Sequence, residues 1–195
     1  ATFRHRKTTL VIAGGAAYAA SMFGLYHLWY SDYSQSKFHF INDNDEWMGA
    51  DKLGHVTTSY YVGRLGYDAY RWAGMQERRA TWIGGLSGFI FLTTIEILDG
   101  FSAEGGASSG DLAANTLGSA LFISQQLAWH EQKASLKWSY HPTSFPDYRP
   151  DLMGSNFLQQ SIKDYNGQTF WLSSNLRSLT GKESRIPGCL NVAVI

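Results

Sequence analysis

With 195 residues, 16 basic and 16 acidic side chains and a formal charge of zero, the chain lacks the basic face that nucleic acid would need, and no nucleic-acid partner is expected. Its length suits a single domain with a real core. Charged residues make up 16% of it, against about 25% in ordinary soluble domains, and aromatics 15%, so the composition points to a membrane or another low-dielectric setting. The lone Cys189 closes no internal disulfide and reads as an inert thiol. The start at Ala1 and the apolar end LNVAVI fit a removed signal segment and a shortened C-terminus.

The first predicted helix covers Thr8 to Tyr30, where Asp, Glu, Lys and Arg are absent. About 20 apolar residues cross a bilayer core, so this stretch is long enough. Its small residues, from Ala13 to Ala20, suit close helix packing. Tyr26, Trp29 and Tyr30 suit an interfacial belt. A buried helix of a soluble bundle passes the same test. Residues 31–50 form a polar, acidic connection. The second helix, Asp51 to Trp72, is broken by Arg64, Asp68 and Arg71 into an amphipathic pattern. The third, ATWIGGLSGFIFLTTIEIL, is apolar apart from Glu96 and is the second membrane candidate. After the loop DGFSAEGGASSG, the fourth helix runs from Asp111 to Glu131, with Ser109 as its expected N-cap and Asp111 in the favourable first turn.

Beyond Gln132 the chain is polar, aromatic and punctuated by proline. A short helix near 155–163 and a strand or further helix in QTFWLSSNL are expected within an irregular tail. The expectation is therefore a mainly α fold: a four-helix, up-and-down, membrane-associated bundle over residues 1–132, and a C-terminal, largely irregular extension over 133–195 that lies on the bundle or on a partner.

Up-and-down order has a chemical consequence. Let side A be the end carrying RHRK and side B the end carrying the acidic connection. Asp51 and His55 open the second helix at side B, Glu96 and Asp99 close the third there, and Asp111 and Asn115 open the fourth. The members of each pair are three or four residues apart, hence on one helical face. Lys52 or a protonated His55 would hold these acids ionised, and a divalent cation would do the same. The candidate ligand-binding residues are Asp51, Lys52, His55, Glu96, Asp99, Ser109, Asp111 and Asn115. His55, Glu96 and Asp99 are the candidates for general acid–base work. Glu96, Asp99 and Asp111 would offer oxygen ligands to calcium or magnesium.

Simpler roles compete with these. Asp51 and Asp111 complement helix dipoles where they stand. A zinc pattern is missing. A triad of Ser108 or Ser109 with His55 lacks the G-x-S-x-G context. The run GGASSG lacks the lysine of a phosphate-binding loop and reads as a loop and cap.

The segments WMGADKLGH (47–55), EILDG (96–100) and SGDLAANTLG (109–118) together resemble the YfiM-like family of cell-envelope lipoproteins of Gram-negative bacteria. They share a looser outline with VanZ-like membrane proteins, and the stretch YNGQTFWLSSNLRS resembles the extension of Bacteroidetes-type members. The resemblance implies a place in the cell envelope and matches Asp51, Lys52, His55, Glu96, Asp99, Ser109, Asp111, Asn115 and Gly118 to the pattern. It implies no reaction. The chain departs from VanZ-like proteins at Asp99 and Gly100, where those tend to carry Gln, and it lacks a lipobox cysteine near its start.

Side A collects Arg4, Arg6, Lys7, Arg71, Arg78, Arg79, Lys133 and Lys137, so the positive-inside rule puts it in the cytoplasm and turns side B to the periplasm from the inner membrane. The outer membrane or the periplasmic side is the alternative. Three functions follow as expectations. The crevice at side B binds a lipid headgroup, a glycan-lipid or a cation; or the chain is an accessory subunit of a larger membrane complex, its polar cluster an internal brace; or it is an enzyme acting on a lipid-linked substrate.

Overall fold

The computed structural model describes residues 2–27, 34–180, 186–187 and 189–194. Trp29 and Tyr30 of the expected aromatic belt lie outside these residues. The fold is mainly helical. Helices α1 (Thr2–Leu25), α2 (Ala50–Trp72), α3 (Glu77–Asp99) and α4 (Ser109–Trp129) follow one another in the expected order.

Helices α2, α3 and α4 form the compact part, and glycine sets how closely they approach. A Cβ on Gly88 of α3 would sit 2.0 Å from the Ser59 carbonyl oxygen of α2, and one on Gly118 of α4 would sit 2.2 Å from the Val56 carbonyl oxygen. Backbones this close leave no room for any side chain at those two positions. Toward side A the gap between helices is filled by Tyr60, Phe122 and Ile123, with Tyr61, Tyr67, Leu121 and Leu136 around them. Toward side B it is lined by hydroxyls: Ser59 Oγ donates to the Asn115 carbonyl at 2.7 Å and shares a 3.0 Å hydrogen bond with Ser119 Oγ.

Helix α1 behaves differently. Its small residues, read from the sequence as a packing stripe, pack on nothing: Gly14, Gly15 and Gly24 have no neighbour within 4 Å of an added Cβ. Among the described residues it meets the bundle around Tyr18 and Arg6. Tyr18 donates to Thr94 Oγ1 at 2.9 Å, and the Arg6 guanidinium sits 5.4 Å from the Trp72 ring centre. Among the described residues two helical stretches are long and apolar enough to cross a membrane, Arg4–Leu25 and Glu77–Asp99. The first is unburied throughout, whereas a third of the second is buried inside the bundle.

Two short strands, β1 (Phe40–Ile41) and β2 (Ala107–Ser108), pair in parallel and pin the acidic connection to the loop before α4. Gly100 makes this possible, because a Cβ there would meet the Phe38 ring at 2.3 Å. The C-terminal extension is more ordered than its composition indicates. Strands β3 (Ala134–Tyr140), β4 (Gln168–Asn175) and β5 (Asn191–Val194) form an antiparallel sheet in that order, with irregular stretches and the short helices α5 (Pro150–Met153), α6 (Phe157–Lys163) and α7 (Leu176–Thr180) around it. The sheet lies along the bundle. The Tyr61 hydroxyl of α2 donates to the Leu136 carbonyl at 2.5 Å, and Gln125 of α4 bonds both the amide and the carbonyl of Ala134.

Candidate functional site

The ends of α2, α3 and α4 meet at side B, as their order requires. Lys52, the third residue of α2, reaches Asp43 Oδ1 at 2.8 Å, Asp111 Oδ1 at 2.8 Å and Asp51 Oδ2 at 3.4 Å. One turn on, His55 Nδ1 bonds Asn115 Oδ1 at 2.9 Å, while its Nε2 stands 3.9 Å from Asp51 Oδ1 and 4.0 Å from Asp111 Oδ1. Both Nε2 separations exceed a hydrogen bond. Glu96 lies behind the histidine, with Oε1 3.8 Å from Nδ1 and Oε2 accepting the Ser108 amide at 3.0 Å. Its side chain is only 3% exposed.

Ser108 organises the entry to α4. Its hydroxyl accepts the Asp111 amide at 3.1 Å, which makes it the N-cap, and donates to Asp43 Oδ1 at 2.6 Å. Ser109, expected to cap the helix, is exposed one residue further on. The capping hydroxyl must precede the helix in extended backbone, and that conformation falls at Ser108.

The extension completes the cluster. Tyr165, in the 3-10 turn between α6 and β4, donates its hydroxyl to Asp51 Oδ1 at 2.5 Å, and its ring lies 5.5 Å from that of Trp47. Trp47 and Met48 both take left-handed backbone conformations, φ 49° and 53°, ahead of Gly49 at φ 78°. Left-handed residues other than glycine are strained. Here they turn the chain sharply from the acidic connection into α2, with the Met48 side chain fully in solvent.

The electrostatics follow from burial and from the one lysine. Burial would raise Asp43, but Lys52 and the Ser108 hydroxyl outweigh it and hold that carboxyl below its usual range. Burial likewise opposes the charge on Lys52, yet its bonds to Asp111 and Asp43 leave the ammonium held above its ordinary value. Asp111 goes the other way: burial raises it, and His55 and Lys52 only partly compensate. Glu96 is pushed up to about 7 by burial, despite the Ser108 amide that favours its charged form. Burial, then the neighbouring Asp51 carboxylate, push the Tyr165 phenol up, so it stays a donor.

The structure therefore brings together Asp51, Lys52, His55, Glu96, Asp111 and Asn115 of the residues expected from sequence. Asp99 sits at the last turn of α3 and acts on Glu96 as a nearby like charge. Three members were not anticipated: Asp43, Ser108 as the cap, and Tyr165. The oxygen set expected to bind a cation, Glu96 with Asp99 and Asp111, is not the one that converges. Among the described residues, the donor atoms close enough to share an ion belong to Asp51, His55 and Asp111, all within 4.8 Å of one another. Glu96 is instead committed to the Ser108 amide.

Residues 38–125 are similar to a family described as predicted periplasmic lipoprotein (DUF2279). This span takes in residues 38–50 of the acidic connection, α2, α3 and most of α4, and with them every member of the cluster except Tyr165. The description agrees with a membrane-associated place in the cell envelope, on its periplasmic side. No curated protein and no solved structure matches the chain.

Proposed function

We propose that the protein is a membrane-associated component of the cell envelope whose side-B crevice binds a cation, or a lipid headgroup or glycan-lipid held through one. The observation that carries this is a charge surplus. Four carboxyl groups, those of Asp43, Asp51, Glu96 and Asp111, face one lysine and one histidine in a pocket where none of their side chains is more than 23% exposed. Buried charges are stable when paired, and this set has more acid than base. The finer resemblance to YfiM-like and VanZ-like proteins rests on these same residues and supports the reading.

The membrane contact we infer is with the lipid surface. Trp82, Ile83, Leu86, Ile90 and Ile97 form an exposed apolar stripe down α3, flanked by the unburied α1. Beside the crevice, Phe38, Phe40, Ile41 and Phe101 continue it. The sheet speaks against full immersion of the bundle, since an open sheet exposes unpaired backbone groups that hydrocarbon cannot satisfy. A molecule resting its α1–α3 face on lipid keeps the sheet in water.

A second reading has its own support. Lys52 ties the acidic connection, α2 and α4 together, and Tyr165 adds the extension, as an internal brace or a subunit contact would. Native mass spectrometry of the protein extracted in mild detergent separates the two. Binding predicts a retained cation or lipid that is lost in His55→Ala while the melting temperature changes little. Equal destabilisation with no retained small molecule, or a fixed mass of other chains, overturns it in favour of the brace.

A further inference from the structure

We propose that Asp51, His55 and Asp111 bind a divalent transition-metal ion of the zinc or manganese class, and that Lys52 neutralises their site when the ion is absent. The inference rests on the reading of the crevice as a ligand site and names the ion. Metal bonds of about 2.0–2.2 Å to oxygen and imidazole nitrogen place neighbouring ligand atoms about 3–4 Å apart. The Nε2 distances of 3.9 and 4.0 Å fit that geometry, too long for hydrogen bonds and too short to be unrelated.

The tautomer points the same way. With Nδ1 donating to Asn115 Oδ1, Nε2 is the nitrogen left to face the two carboxylate oxygens and to take a metal. Lys52 already meets the Asp111 oxygen and the Tyr165 hydroxyl the Asp51 oxygen, and an ion between the three donors would share these oxygens with both. Orienting a metal-binding histidine through its other nitrogen is what a second layer of ligands does.

An independent observation comes from Asn115 itself. It is fully buried, and its Nδ2 has no hydrogen-bond partner, although the same amide group is fixed against His55. Buried donors are almost always satisfied. The unmet Nδ2 lies on the Nδ1 side of the histidine and marks an incompletely satisfied polar wall of the crevice, while Oδ1 of the same amide fixes the ring that would carry the ion on its other nitrogen. The ligand set also selects the ion, since two carboxylates with an imidazole suit zinc or manganese, whereas calcium and magnesium take oxygen alone.

Lys52 makes the site conditional. Its ammonium lies 2.8 Å from Asp111 Oδ1 and 3.4 Å from Asp51 Oδ2, so it shares two of the three ligands. Its third partner, Asp43, is outside the trio, and the flexible stem lets Lys52 stay on Asp43 as an ion displaces it from Asp111. Metal and lysine compete most closely for Asp111, with Asp51 the looser of the two shared partners.

The test is titration of the chelator-treated full chain in mild detergent with zinc and with manganese, read by calorimetry and by metal content after desalting. One ion per chain is expected for the wild type. His55→Ala should lose it, Asn115→Ala should weaken it by about 10–100-fold, and Lys52→Met should tighten it. Cobalt binding provides a readout that folding defects do not imitate, because its visible spectrum reports nitrogen and oxygen ligands directly and should change in His55→Gln. Absence of stoichiometric binding in the wild type, binding indifferent to His55, or weaker binding in Lys52→Met would each overturn the proposal. If no metal binds but a lipid is still retained in a His55-dependent way, the metal fails and the crevice stands. If neither is retained, both fail.

Discussion

The two ends of the bundle solve the same problem, joining helices through polar groups, with opposite chemistry. At side A the work is done mainly by amides: Gln126 Nε2 donates to Tyr67 at 3.1 Å and to Glu77 at 3.2 Å, and Gln132 Nε2 donates to the Phe122 carbonyl at 3.2 Å. Among the described residues the ion pair there, His130 with Glu77 at 2.9 Å, is open to solvent, His130 being 71% exposed. At side B the joining groups are carboxylates, buried and in surplus. Neutral amides suffice to tie elements together, so side A needs nothing from outside. Side B uses costlier groups in a place where side A shows that cheaper ones would serve, and this is the strongest reason to look for a ligand there.

The largest difference between the ends should appear when each loses its central donor. Lys52→Met leaves Asp43, Asp51 and Asp111 facing one another without their ammonium, and breaking a buried pair costs about 3–5 kcal/mol. Gln126→Leu at side A removes one hydrogen bond to the Tyr67 hydroxyl and one to the partly exposed Glu77 carboxylate, about 1 kcal/mol each where solvent can replace the donor. Denaturant melts of both variants in chelator give the contrast. Equal losses would mean that side B is no more charged in effect than side A. Added zinc should restore Lys52→Met by more than it stabilises the wild type.

Packing offers the next contrast, between α3 and α1. Gly88→Val would drive a side chain into the Ser59 backbone, and overpacking of this kind costs about 1–3 kcal/mol or more. Gly14→Val meets open space and should leave the melting temperature unchanged in detergent. A large loss at Gly14 would show that α1 packs far more closely than its exposure indicates.

The same contrast explains what could be read in advance. Helical period and short connections brought Asp51, His55, Glu96, Asp111 and Asn115 to one end, because each lies on a helix whose direction was fixed by its neighbours. Asp43 and Tyr165 were invisible, since each reaches the cluster through a non-local arrangement: β1 against β2 for the one, and the packing of the extension on α2 for the other. The sheet was missed for a related reason. Leu136 pairs with Leu172 and Trp138 with Phe170; β3, ASLKWSY, does alternate apolar and polar residues, but its partner β4, QTFWLSSN, does not, and residues 141–167 separate the two. The small residues of α1 misled in the opposite direction, because composition shows that a helix can pack closely, not that it has a partner.

Tyr165 tests the join between the extension and the cluster. Phenylalanine there keeps the ring against Trp47 and removes the donor to Asp51, a hydrogen bond to a charged group worth about 1.5–3 kcal/mol. If the extension were only a cover, Tyr165→Phe would melt like the wild type.

The smallest effect, and the one most specific to the comparison, is the sign of the pH dependence. Glu96 is raised from 4.5 to about 7, chiefly by burial. Its contribution to stability is therefore complete below pH 4.5 and is lost as pH rises through about 7. His55, Asp111 and Asp99 act on it, and Asp111, itself raised, adds a slope of the same sign above its ordinary 3.8. Glu77 at the other end is lowered, first by its bond from His130 and then by Gln126, so its contribution holds above pH 4.5 and is lost as pH falls further. Thermal melts across pH 3 to 8 should thus show Glu96→Gln flattening the profile between about 4.5 and 7 while Glu77→Gln flattens it only below 4.5. A metal bound at Asp51, His55 and Asp111 would add positive charge beside Glu96 and favour its ionised form, so zinc should shift the first window downward and leave the second where it is. A shift of both windows together would trace the change to the bulk solution rather than to side B.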